Sequence, residues 1–365
     1  MNIKVTSVSA ALAVFASVAS AQQQGSAQNG QQGSLPTGIA GIYNLGASGL
    51  LESYLSNEPF GIAQTRIGVA RAVTGVAHGG GPTSGYDTSP VSGIGDFHAL
   101  KVISPDSFIR FSTEYVDTSG GGSIVKVDAQ TYRFDAQYVK FFDPSTMVAF
   151  GAFYENTDIN NIGVAELSYG GWGLRADALK QFNQNWGVSG RIEYMFGGTD
   201  INLPISPTAA IIQKQDDDRL YIQSELVGRF DSSDLNWVPN GWVLNPIFGA
   251  LYQKSWIEAT ADNFGNVSSG VNGPTEEYST IWAKARISKQ LAPGTWSPKA
   301  TLGFEHELTN SLDEYLDEPT YGVVGLGVTY LTKSGGYFDV TYSGRLGLNG
   351  IREQNGITIA FTQTF

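Results

Sequence analysis

The sequence predicts an all-β protein: an up-and-down, antiparallel β-barrel that crosses a membrane. Three observations predict it. Segments of about ten residues alternate apolar and polar side chains, the period of a strand with two unlike faces. The connections between them are sorted by length, long alternating with short. The chain also opens with the pattern of an export signal.

Taken in order, Lys4 supplies a positive charge, Val5 to Val18 is a short apolar run, and Ala19-Ser20-Ala21 has the form of a cleavage site. Residues 1–21 are therefore read as a signal peptide. Gln22 to Gly33 is a polar low-complexity tract, and residues 22–40 are read as a Gln/Gly-rich linker. No later stretch approaches the 18 or so uninterrupted apolar residues of a membrane-spanning helix. Charged residues make up only 15% of the chain, well below the usual quarter or so of a soluble domain. The 45 Gly, 17 Tyr, 19 Phe and 7 Trp suit a barrel, which uses rings at the membrane interfaces and glycine for close approach. Cysteine is absent, which excludes a disulfide framework and thiolate metal sites. A net charge of −12 argues against nucleic acid as a partner.

Residues 41–107 form an N-terminal segment with two readings. Ile42 to Ser56 reads as a short helix before Pro59, and Ile62 to Val76 as a helix with Arg66 and Arg71 turned into the lumen. Alternatively, 62–76 and 97–103 are two further strands. The barrel proper is assigned to residues 108–365, with twelve strands favoured and fourteen under the second reading. The twelve are 108–117, 129–141, 145–156, 171–182, 186–196, 219–230, 241–254, 278–290, 297–308, 320–331, 336–345 and 356–365. About ten residues is what a tilted strand needs to cross the hydrocarbon layer.

Asp143-Pro144-Ser145, Asn183 to Asn185 and Thr332 to Gly336 are tight reversals built from turn-forming residues. The connections 118–128, 157–170, 197–218, 255–277, 309–319 and 346–355 are long and rich in Gly or acidic residues. Outer-membrane barrels place short turns in the periplasm and long loops outside. With Phe365 at the periplasmic end, the short connections fall on the periplasmic side; 231–240 fits least well.

The two faces differ in chemistry. In 129–141, Tyr132, Phe134, Ala136 and Tyr138 oppose Arg133 and Asp135. In 171–182, Leu174, Ala176, Ala178 and Phe182 oppose Arg175 and Asp177. In 186–196, Val188, Ile192, Tyr194 and Phe196 oppose Arg191 and Glu193. In 219–230, Leu220, Ile222, Leu226 and Phe230 oppose Glu225 and Arg229. Placing Arg or Lys on the lipid face costs about 2–4 kcal/mol at the bilayer midplane, so the charged face is assigned to the lumen. Arg110, Glu114, Lys284, Arg286, Glu305, Asp339 and Arg345 join it by the same parity. Both signs are present in near balance, which reads as cross-strand pairing that stabilises a hydrated lumen, in preference to a selective pore lining. Trp186, Trp242, Trp296, Phe141, Phe182 and Tyr337 are expected at the periplasmic interface, and Tyr115, Tyr154, Trp172, Tyr278 and Tyr321 at the outer one.

No catalytic set emerges. The only histidines are His78, His98 and His306, none with an evident nucleophile, and no Gly-x-Ser-x-Gly elbow occurs. Asp216-Asp217-Asp218 and the Asp313–Glu318 cluster are read as solvated external loops, not calcium ligands. No enzyme activity, cofactor or metal is expected.

The last strand, Gly356-Ile-Thr-Ile-Ala-Phe-Thr-Gln-Thr-Phe365, resembles the C-terminal strand of bacterial outer-membrane proteins. In those proteins the terminal aromatic is a signal to the insertion machinery, a role the resemblance implies for Phe365. Trp242 to Tyr252, Trp296 to His306 and the closing hairpin Tyr342 to Gly350 resemble the autotransporter β-domain over roughly residues 108–365. That resemblance implies a bacterial outer-membrane barrel with a lumenal N-terminal segment, embedded in outer-membrane lipid and inserted by the outer-membrane assembly machinery. Between Ala21 and Pro105 there is no room for a long passenger, so the expected function is a translocator-like or surface-exposed barrel. The alternative is a passive porin-type channel for small hydrophilic solutes. Surface ligands at 197–218 and 255–277 are compatible with either.

Overall fold

The computed structural model describes residues 91–121, 126–161, 165–269, 273–311, 318–332, 336–350 and 353–364. The assigned signal peptide, the linker and the segment 62–76 lie outside these residues, as does Phe365.

Strands β1 (Val91–Ser104) to β8 (Trp242–Ile257) follow one another as hairpins: β2 (Ser107–Gly121), β3 (Lys126–Asp143), β4 (Thr146–Asn161), β5 (Ala165–Gln181), β6 (Trp186–Ser206) and β7 (Ala209–Gly228). A two-stranded hairpin, β9 (Thr260–Ala261) and β10 (Val267–Ser268), interrupts the meander. The meander then resumes with β11 (Thr275–Lys289), β12 (Thr295–Asn310), β13 (Thr320–Leu331), β14 (Tyr337–Gly347) and β15 (Glu353–Thr364). All but β9 and β10 form one closed sheet of 13 strands.

The expected count of twelve, or fourteen, is thus corrected to thirteen. The added strand is β1, so the barrel begins at Val91 and not at residue 108. An odd number has a geometric consequence. Strands of a meander alternate in direction, so the first and thirteenth run the same way. The barrel closes by parallel pairing of β1 with β15, from Val91↔Asn355 to Leu100↔Thr364. Every other neighbouring pair in the barrel is antiparallel.

Several expected loops are strands. β6 and β7 run 21 and 20 residues and pair to the tip, Ser206↔Ala209. At ~3.3 Å per residue β6 is about 70 Å long, more than twice a hydrocarbon layer of about 30 Å. The pattern hid this because polar residues stand on both faces of the extension, Asp200 and Asn202 on one and Gln213 and Gln215 on the other, so neither face is continuously apolar. Hydrophobic alternation reports only the part of a strand that touches lipid. Asp216, Asp217 and Asp218 accordingly sit in β7, not in a loop. The β9–β10 connection is clamped to this extension: Asn263 Oδ1 accepts from Ile212 N–H, and its Nδ2 donates to the Ala210 carbonyl, both at 2.9 Å.

The short rim is pinned by local capping. Asp143 accepts from Ser145 N–H, Ser145 Oγ and Thr146 Oγ1. In connection 229–241, the pKa of Asp231 is drawn down to about 2 by the Ser233 hydroxyl, with the Ser233 N–H and Arg229 adding to it.

The outside of the sheet is apolar and the inside is not. Phe134, Phe150, Leu174, Leu302 and Leu326 are exposed on the outer face, while Arg110, Arg133 and Arg175 are buried on the inner. A soluble sandwich has the reverse arrangement. Rings gather at both rims of the outer surface. Tyr115–Tyr132, Tyr154–Trp172 and Tyr194–Trp256 lie on the long-hairpin side, and Trp296–Tyr330–Phe338 on the other.

Candidate functional site

The inner wall is the site to consider, because it is where charge is concentrated without solvent. Parity places the charges there, and antiparallel register then sets them side by side. Arg133 on β3 holds Glu193 on β6 in a two-point contact, with Nη2–Oε1 2.8 Å and Nη1–Oε2 3.0 Å. It also reaches Asp135 at 2.9 Å and Glu155 at 3.2 Å, and its guanidinium stacks 4.0 Å above the Phe153 ring. Arg175 bridges Asp177 and Asp135 at 2.8 and 3.2 Å, and Arg191 meets the other oxygen of Asp177 at 2.8 Å. Arg219 takes both oxygens of Glu155. Gln137 donates to Asp177 and accepts from Arg110 at 2.7 Å, while Arg110 Nε donates to His98 Nδ1 at 3.2 Å. His98 Nε2 lies 2.8 Å from Asp96 Oδ1, off the line of a good hydrogen bond. One connected chain of polar groups thus runs across β1 to β7.

A second cluster centres on Arg345 of β14. It meets Glu305 at 2.7 Å and Glu307 at 3.0 Å on β12, donates to Tyr278 Oη at 3.3 Å, and stacks 3.7 Å above the Tyr321 ring. Asp339 pairs with Lys299 at 2.8 Å. On the wall between the clusters, Trp282 Nε1 donates to Glu225 at 3.1 Å, with Lys284 placed 5.0 Å from the Trp282 ring. Glu114 and Arg286 are buried on the same inner face. Arg229 is the outlier: it lies past the end of β7, half-buried, and pairs with Asp231 in the turn at 3.0 Å.

Two expectations about this wall are corrected. Tyr278, Tyr321 and Phe141 were assigned to the membrane interfaces, but they point inward and are buried. Phe338, not Tyr337, completes the ring cluster around Trp296. Nor is the inner face uniformly polar. Leu100, Phe108, Val139, Phe141, Met147, Leu179, Val227 and Ile247 form a contiguous apolar layer toward the short-turn rim. Val139 and Met147 are 0% exposed.

Gln137 and Glu307 fall on the inner face as strand parity gives them, but Glu155 and His98 were missed as members of the wall. Glu155 shares parity with Phe153 and Met147, so a rule that sends aromatics to lipid sends Glu155 with them. Glycine was the usable signal. Gly173 lies opposite Phe153 and Gly249 opposite Trp282. A Cβ at either glycine would run into that ring, so an inward aromatic can lie flat over its neighbour.

No protein-family model matches the chain, and no curated protein does. Solved structures are similar in fold. The translocator domain of autotransporter NalP from Neisseria meningitidis aligns with a TM-score of 0.50 at 14% identity, over 65% of this chain and 82% of that one. The β-domain of the Bordetella autotransporter BrkA gives 0.47 at 12%, over 70% and 95%. The transport unit of AIDA-I from Escherichia coli gives 0.44 at 11%, over 67% and 86%. An apolar outer surface, aromatic rims, a charged interior and a closed sheet lead to one conclusion: the chain is a membrane-type β-barrel with a fold like that of the NalP autotransporter translocator domain.

Proposed function

We propose that this protein is a non-catalytic, translocator-type barrel whose lumen is filled by its own N-terminal segment, residues 38–76. The observation that carries the reading is the buried apolar layer on the inner wall. In an open, water-filled lumen, Val139 and Met147 would be wetted. Leaving such side chains exposed costs roughly 1.5–3 kcal/mol each, so protein packed over them is the favourable arrangement. The ion pairs support the same reading. Carboxylates and guanidinium groups bound to one another leave few charges free to select a solute. Insertion would use the outer-membrane assembly machinery acting on β15 and Phe365. The paired extension of β6 and β7 would offer surface ligands a rigid platform.

The test is conductance in a planar bilayer. Full-length protein is expected to show low or flickering conductance, and removal of residues 22–76 a larger and steadier pore. Large, steady conductance from the intact protein would replace this reading with a porin-type channel for small hydrophilic solutes.

A further inference from the structure

Parallel pairing is slightly weaker per residue than antiparallel pairing, so on backbone grounds the β1–β15 seam is the weakest joint of the sheet. Charge does not reinforce it on the inner face. The inward positions of β15 along the seam are Gly356, Thr358, Ala360 and Thr362, and Thr362 Oγ1 is buried without a hydrogen-bond partner. β1 is held by side chains from its other edge. Ser92 Oγ meets Thr118 Oγ1 of β2 at 2.8 Å, and His98 Nδ1 accepts from Arg110 Nε at 3.2 Å.

The bond from Arg110 fixes the protonation state of the ring. A guanidinium has donors only, so Nδ1 must present its lone pair, and the ring proton sits on Nε2, 2.8 Å from Asp96 Oδ1. A second proton would have to go on Nδ1. Two N–H groups and two positive charges would then face each other between side chains that are buried in the wall. The Asp96 charge favours the protonated ring, but Oδ1 lies off the line of the N–H and neither atom makes a hydrogen bond. The other charges around the ring offer no relief. On β2, Glu114 stands opposite Asp96, and on β3, Asp135 is bound by Arg133 and Arg175. On β5, Arg175 adds a second positive charge acting on the ring, and Asp177 is held by Arg175 and Arg191. On β14, Asp339 pairs with Lys299.

We propose that His98 is an acid-sensitive latch: uptake of a proton breaks its bond to Arg110, frees β1, and lets the barrel part along the β1–β15 seam. The closed wall admits the neutral ring, whereas a freed β1 admits both forms, so by linkage acid favours the freed strand. An ordinary imidazole titrates at about 6.5, well above a carboxylate, so mild acid reaches the latch before it reaches the ion pairs of the wall. β1 is the strand that yields, because its far edge is the parallel, uncharged seam. The barrel is then firmly closed at neutral pH and opens more readily in mild acid, whatever fills its lumen.

The test is amide hydrogen exchange of the full chain in detergent, at about pH 7.5 and about pH 5.5 to bracket the imidazole range, corrected for the intrinsic exchange rate. Protection of β1 and β15 is expected to fall in acid, by at most about the tenfold per pH unit that one proton allows, while β4 and β5 keep theirs. His98→Gln keeps an acceptor for Arg110 without a place for the second proton, and is expected to abolish the acid loss. A cross-link tests the seam with His98 in place, and the chain has no cysteine to interfere. Gly95 and Ile359 are register partners across the seam, and strands about 4.8 Å apart bring such pairs within disulfide range. The Gly95→Cys/Ile359→Cys disulfide is expected to abolish the acid loss, and a Val148→Cys/Ala178→Cys disulfide between β4 and β5 to leave it. The seam disulfide decides the matter even if His98→Gln fails to give the heat-dependent electrophoretic shift of a closed barrel. Equal protection of β1 and β15 at both pH values in the unaltered protein would overturn the proposal. So would an undiminished acid loss in His98→Gln or in the seam-linked protein.

Discussion

Arg133 meets three buried carboxylates at once, Asp135, Glu155 and Glu193, so its loss would strand charge from three strands. Breaking a buried pair by removing one partner costs about 3–5 kcal/mol, most of it the penalty on the group left behind. Arg133→Met is expected to destabilise the folded barrel by at least that much, read by urea unfolding followed through tryptophan fluorescence. Arg229→Ala, which loses a half-exposed rim pair with Asp231, is expected to cost under about 1 kcal/mol. Equal effects would mean that the inner network contributes little. At this scale parity was informative for Arg133, Asp135, Arg175, Asp177, Arg191 and Glu193, whose polar face stands against an unbroken apolar one. It failed for Glu155 and Tyr278, because alternation records which residues share a face and cannot say whether an aromatic face is the lipid side.

Among elements, β11 shows how packing inside the wall constrains a neighbouring strand. The Trp282 ring lies where a side chain on residue 249 of β8 would be. Gly249→Val is therefore expected to force the ring away and break its bond to Glu225, lowering the yield of heat-modifiable barrel and the unfolding midpoint. Ala250→Val supplies the contrast: it sits on the exposed outer face of the same strand and is expected to be tolerated. At the other end of the chain, deleting Phe365 is expected to reduce assembly far more than Gln290→Ala in the β11–β12 turn, scored by the fraction of folded protein in the outer membrane. Asn263 would be a poor control, since it clamps β7. Strand positions within the bilayer were legible because lipid imposes an apolar face. The outer halves of β6 and β7 were not, because water imposes none.

For the whole molecule, barrel closure, the inside-out distribution of charge and the sorting of short turns were all within reach of the sequence. The strand count was not. β1 carries Gly93, Gly95 and Ala99 on its outer face, too little apolar bulk to stand out beside the other strands. That one extra strand reverses the entry of the chain into the barrel. With β15 running toward the short-turn rim and β1 parallel to it, Val91 stands at the long-hairpin rim. If the long hairpins face outward, as in other outer-membrane barrels, the chain must reach Val91 at the outer mouth, although the polypeptide is made on the opposite side. On that orientation the stretch before β1 is itself delivered to the outer mouth, a cargo in miniature. A protease site inserted just before Val91 should be cut on intact cells, whereas one placed in the Asp143–Thr146 turn should be cut only after the outer membrane is opened.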